Sequence, residues 1–178
     1  MALSVVSRFS ANPTTDHWLA VQRILRYLRG TLDLELAFSG DLRPLVGYSD
    51  ADWARDVDTR RSTSGYLFGT GTGPISWSSK RQSTVSLSTC EAEYIGQTQA
   101  TDQGSCLALA QLADVDECDI PTTIIYGDNK GAITLAKNPK FHGRSKQVDI
   151  EHHYVREKVE DGAVGLKYIG PANKLLTG

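Results

Sequence analysis

Apolar positions change period along this chain, and each change marks an element. In NPTTDHWLAVQRILRYLRG, Trp18, Val21, Leu25 and Leu28 recur at three- and four-residue steps, with Ile24 beside them. That is the period of an amphipathic helix whose apolar face needs a partner surface. Thr14, Thr15 and Asp16 are cap candidates before it, and Gly30 is a stop after it. LDLELAF (32–38) then alternates like a short strand. From Leu45 onward the pattern is mixed. Strands are predicted at 45–49, 64–69 and 74–78, the second and third joined as a hairpin through Gly69, Gly71 and Gly73. The Ala-, Gln- and Leu-rich stretch from Ser88 to about Leu112 predicts a long helix. TTIIYG (122–127) predicts a fourth strand, 131–136 and 148–160 two further helices, and GLKYI (165–169) a last strand. This order predicts an α/β fold, a mixed sheet with helices packed on it and an N-terminal helical extension.

Composition narrows the picture. With 178 residues, 40% of them hydrophobic, the chain is long enough to bury one sizeable core. A formal net charge of −2 gives no whole-molecule argument for a nucleic-acid partner, so any such argument rests on local patches. The three cysteines, Cys90, Cys106 and Cys118, are odd in number and form no close pair. They read as reduced residues of an intracellular protein with no disulfide-linked partner. No apolar run approaches the ~20 residues needed to span a bilayer, and the N-terminus lacks the arrangement of a secretory signal.

The carboxylates carry the chemistry. Asp50 stands at the end of the first predicted strand in LVGYSDADWA, and Asp128 at the end of the fourth in IIYGDNKGAI. Such acids often just cap the next turn, and Asp52 is read that way. In the long helix, Ser88 and Glu91 stand in the S-x-x-E relation of a capping box, which gives Glu91 a structural task. Glu93 lies two residues on, roughly 200° around the helix, and has no such task. Acids converging from separate elements repel one another, by on the order of 4 kcal/mol at ~4 Å and an effective dielectric of about 20. A cation between them removes that cost. Ligation by oxygen alone points to Mg²⁺ or Mn²⁺. A pair of such ions suits phosphodiester hydrolysis.

Candidates for holding nucleic acid lie nearby. Lys130, Lys137, Lys140, Arg144 and Lys146 fall within 130–146, a tract without an acid, which reads either as a phosphate track or as a solvated loop. Asn129 adjoins it. Lys80 and Arg81 follow Trp77 at a strand end, and Ser88 reads first as a helix cap. His142 is a lone loop histidine. His152 and His153 are adjacent, so they cannot share a helical face, and a zinc site there is excluded.

YSDADWARDVDTRRSTSGYLF, PISWSSKRQSTVSLSTCEAEYIG and YGDNKGAITLAKNPKFHGRSKQVDIEHHYVREKV closely resemble the ribonuclease H domain of copia-type LTR-retrotransposon Pol polyproteins. The match is dense over about 45–169. VVSRFSANPTTDHWLAVQRILRYLRGT is similar to the segment joining polymerase to ribonuclease H in these polyproteins, and no Y-x-D-D polymerase motif is present. The resemblance implies two parts, a helix and connector over 1–42 and a ribonuclease H-like domain over 43–178. It also implies a mixed five-stranded sheet with helices on both faces. Asp50, Glu93 and Asp128 match the family's metal-binding acids, and two ions are implied. Substrate contacts are expected from Lys80, Arg81, Ser88, Asn129, Lys130, Lys137, Lys140, Arg144 and Lys146, with His142 matching a mobile loop histidine. Near the position where the family reads A-D-x-L-T-K, this chain has GPANKLLTG, with Asn173 close to the place of the Asp. Either the fourth acid is lost or Asp149 serves instead. The implied partners are an RNA–DNA hybrid and a reverse transcriptase polymerase domain. The implied location is intracellular, in a cytoplasmic virus-like particle or in the nucleus.

Overall fold

A computed structural model describes residues 2–38, 43–70, 73–112, 121–137 and 146–170. The chain forms two compact units, Met1–Ser39 and Gly40–Gly178. The first holds α1 (Ala2–Val6), a 3₁₀ turn (Ser7–Phe9) and α2 (Thr15–Gly30). Thr14 is the N-cap of α2, with its backbone N–H 2.9 Å from His17 Nδ1, and Phe9 stacks on the His17 ring at 4.0 Å. Neither helix has a buried residue.

The second unit runs β1 (Val46–Ala51), β2 (Thr63–Gly69), β3 (Pro74–Arg81), α3 (Thr89–Leu112), β4 (Thr123–Gly127), α4 (Lys130–Lys137), α5 (Lys146–Glu160) and β5 (Val164–Tyr168). The five strands make one sheet in the order β3-β2-β1-β4-β5. β1, β2 and β3 are antiparallel neighbours, whereas β4 pairs parallel to β1 and β5 parallel to β4. The parallel pairing has a direct consequence: β1 and β4 end at the same edge of the sheet.

The sheet buries side chains on one face. Ser49, Ser64, Phe68, Thr123, Ile125, Val164 and Leu166 are all buried, and the residues alternating with them are not. Phe68 and Ile125 join Tyr94, Ala132, Ile133, Ala136 and Val155 in one core, so α3, α4 and α5 share that face. The resemblance implies helices on both faces; α3, α4 and α5 pack on one. Helix α3 is buried continuously over 92–98 because it lies between the sheet and the other two helices. This explains why its sequence shows no amphipathic stripe. Phe68 fits under α3 because two glycines make room for its ring. A Cβ on Gly104 would stand 3.1 Å from two ring carbons, and one on Gly47 would overlap the ring.

One predicted element is absent. Residues 34–38 form no strand, and Leu32, Leu34, Leu36 and Phe38 are all exposed. Alternation describes a strand only where a neighbour pairs its backbone groups and covers one face. Here neither occurs.

Candidate metal centre

Three elements deliver one acid each to the common end of β1 and β4. Asp50 comes from the last turn of the pleat in β1, Asp128 follows β4 directly, and Glu93 projects from the start of α3. Each offers a carboxylate oxygen, and these atoms all lie within 4.8 Å of one another. Asp50 is exposed, Asp128 is half-buried and Glu93 is buried at 6% exposure. A carboxylate buried beside two others has the donor set that a hard divalent cation takes: oxygens only, from separate directions, with an open side. The residues therefore fit Mg²⁺ or Mn²⁺.

The neighbours of the triad are occupied in ways that separate structural acids from the cluster. Asp52 Oδ1 accepts a hydrogen bond from Thr63 N at 2.6 Å, and Asp52 N donates to Thr63 O at 3.0 Å. This closes the ladder just past Asp50 and leaves Asp52 a turn residue. Glu91 Oε2 accepts from Leu87 N at 2.7 Å, while Glu91 N donates to Ser88 Oγ at 3.1 Å. The capping box is thus present, closed on Leu87 rather than on Ser88. α3 lies over Asp50 at Gly96, where a Cβ would be in ordinary contact with the Asp50 carbonyl oxygen and Ala51 Cβ at 3.5 Å. Beside Glu93, burial and the charges of Glu93 and Glu91 push the Cys90 thiol pKa up.

The remaining candidates fall into three groups. Lys80 and Lys137 are exposed. Four others are engaged within the protein. Arg81 pairs with Asp56 at 2.8 Å, and Lys130 Nζ lies 4.6 Å from the centre of the Tyr168 ring. Ser88 caps α3, and Asn129 Oδ1 accepts from Ala132 N at 3.0 Å to cap α4. Lys140, His142, Arg144 and Asn173 lie outside the described residues, as do the side chains of Lys146 and Asp149.

Pattern reading missed a buried polar layer behind the acids. Gln82, Ser86, Gln97 and Thr101 are all buried. Gln97 Nε2 lies 2.8 Å from where a Cβ on Gly127 would stand, so only glycine fits before Asp128 without displacing it. Gln82 lies in a polar run, RQSTVS, that reads as a solvated turn. The register of Gln97 and Thr101 with Glu93, four and eight residues on, was the one available signal.

No family model matches the chain. It is 45% identical over 160 residues, 90% of its length, to the retrovirus-related Pol polyprotein from transposon TNT 1-94 of Nicotiana tabacum. It is 40% identical over 177 residues, 98% of its length, to that from transposon RE2 of Arabidopsis thaliana. The chain spans about 12% of the length of these two relatives. A stretch of 109 residues is 49% identical to the secreted RxLR effector protein 161 of Plasmopara viticola, 77% of which it covers. Among solved structures, LC11-RNase H1 isolated from compost matches 76% of this chain and 90% of its own, with a TM-score of 0.51 and 11% identity. The N-terminal ribonuclease H domain of rv2228c from Mycobacterium tuberculosis matches 75% of this chain and 87% of its own, with the same TM-score and identity. At such identity the likeness is one of fold: the second unit has the ribonuclease H fold.

Proposed function

The chain belongs to the copia-type retrotransposon Pol family, and from that premise we propose that it is a metal-dependent endonuclease acting on the RNA strand of RNA–DNA hybrids. The observation that carries the proposal is the convergence of Asp50, Glu93 and Asp128 within 4.8 Å at one sheet edge. Two bound divalent ions would supply an activated water and charge stabilisation at the leaving oxygen. The chain's own residues do the rest. Asp50 and Asp128, fixed by the parallel strands that carry them, hold the open side of the centre, and buried Glu93 closes its inner side. Low exposure around Glu93 keeps bulk water from screening the charges there. Exposed Lys80 and Lys137 are offered as phosphate contacts. Lys140, Arg144 and Lys146 extend the basic tract, and His142 is offered as a proton carrier for product release. Asp149 is the remaining candidate for a fourth acid. A polymerase domain of the same polyprotein is the proposed partner, and the proposed location is intracellular.

A second reading, a catalytically impaired module that still binds nucleic acid, draws on Asn173 standing near the position where the resemblance leads one to expect Asp. One experiment separates the two. The purified chain is incubated with Mg²⁺ and a labelled RNA–DNA hybrid, with double-stranded DNA and double-stranded RNA as controls. Cleavage confined to the RNA strand of the hybrid supports the enzyme. Binding to the hybrid without cleavage supports the impaired module.

A further inference from the structure

The three acids are not held alike. Asp50 and Asp128 each stand two residues beyond Tyr48–Tyr126, the last pair of the parallel β1–β4 ladder, so their backbones leave the sheet from a fixed spacing. Glu93 comes from a helix, and helix-on-sheet packing rests on apolar contacts that are not directional. Such contacts keep α3 on the sheet but do little to stop it from sliding or rolling. A sub-ångström error there moves a carboxylate out of a shared centre.

Several buried directional bonds that link the start of α3 to the sheet and to the turn before it meet at one residue. We infer that Gln82 is a positioning residue for the acidic cluster, holding Glu93 on α3 in register with Asp50 on β1; the inference rests on the metal reading above. Gln82 follows β3 and is 1% exposed. Its backbone N donates to Ser62 O at 2.8 Å. Its side-chain Nε2 donates to Ser64 Oγ at 2.7 Å and to Ala92 O at 2.9 Å. Its Oε1 accepts from Ser86 Oγ at 2.7 Å. Each end of this set reaches the centre in one step. Ser64 pairs with Ala51, the neighbour of Asp50, and Ala92 is the neighbour of Glu93. Ser86 belongs to the turn that leads into α3, and its carbonyl also accepts from Trp53 Nε1, at 3.2 Å, in the loop that leaves β1. One buried amide thus ties β2, which pairs with the strand bearing one acid, to the helix bearing another and to the turn that leads into that helix.

A purely structural account does not require an amide there. The apolar core of Phe68, Tyr94, Ile125 and Val155 does not include Gln82, and buried amides cost free energy unless every polar atom is matched. What the amide adds over an apolar side chain of similar size is direction.

The test uses the full chain in three variants. Gln82→Leu keeps the volume roughly and removes the three side-chain bonds. Ser86→Ala removes one bond of the set and guards against misfolding of the first. Val155→Ala, fully buried in α5 and remote from the acids in sequence, serves as the control for lost stability. Two quantities are read: the Mg²⁺ concentration that half-saturates the thermal shift, and hydrogen exchange over 89–96 in metal-free buffer. Outer groups that orient ligands are worth about 10–100-fold in metal affinity. Gln82→Leu is expected to raise the Mg²⁺ midpoint about tenfold or more and Ser86→Ala about threefold. Both should speed exchange at the start of α3 relative to the rest of the helix, with KM for the hybrid unchanged. Val155→Ala should leave the midpoint within about twofold of the parent. If the parent responds to Mg²⁺ but Gln82→Leu and Ser86→Ala behave like Val155→Ala, the positioning role is overturned. If the parent itself does not respond to Mg²⁺, the metal reading falls and the inference falls with it.

Discussion

Glu93 and Glu91 show how much one residue's place can decide. Two residues apart in one helix turn, one accepts from Leu87 N as part of a cap and the other is buried among Asp50 and Asp128. Their difference was legible beforehand, because the capping pattern claims one acid and the helical period turns the other away from it. Close-packing makes equally local predictions. Gly47→Ala would drive a methyl group into the ring of Phe68, which is fully buried and also packed closely against Gly104. Urea denaturation should show a loss of about 1–3 kcal/mol, the usual cost of overpacking. The thiols give a chemical check. With the Cys90 pKa raised by burial and by Glu93 and Glu91, its thiolate is scarce near pH 8, so iodoacetamide should label exposed Cys106 well before Cys90. Peptide mapping by mass spectrometry reads the order directly.

Elements were legible where the period was strong and a partner was nearby. Strands β1 to β5 and helices α3 to α5 were predicted within a few residues of their observed ends. LDLELAF misled because alternation says nothing about whether a neighbouring strand exists. Buried Gln82 was hidden for the converse reason: a glutamine in a polar run looks solvated until the helix that buries it is placed. At the N-terminus of α3, Ser88→Ala should cost about 1 kcal/mol, as removing an N-cap does, while leaving the Mg²⁺ response in place. The basic tract is an element-scale question as well. If Lys137, Lys140 and Lys146 contact phosphates, neutralising all three should flatten the log-affinity against log-salt plot by about two to three. An unchanged slope would return them to a solvated face.

At the scale of the whole molecule, the carboxylates are a property of topology more than of any one element. Because β4 returns parallel beside β1, two strand ends far apart in sequence meet at one edge, and α3 has only to lie across them to add a third acid. The acids lie within Gly40–Gly178, so a chain truncated to 40–178 should keep the Mg²⁺-dependent rise in melting temperature that binding to the native state requires. Loss of that shift on truncation would assign the first unit a part in the centre. The central claim is that these acids hold the ions of hydrolysis, and Asp128→Asn addresses it with little change in size. The measurement is the rate of RNA-strand cleavage in a hybrid as Mg²⁺ is raised, for the parent chain and for Asp128→Asn. Mg²⁺-dependent cleavage is expected of the parent, with a fall on the order of a hundredfold or more in the variant. Equal rates in the two proteins would contradict the claim, as would parent cleavage that is indifferent to Mg²⁺.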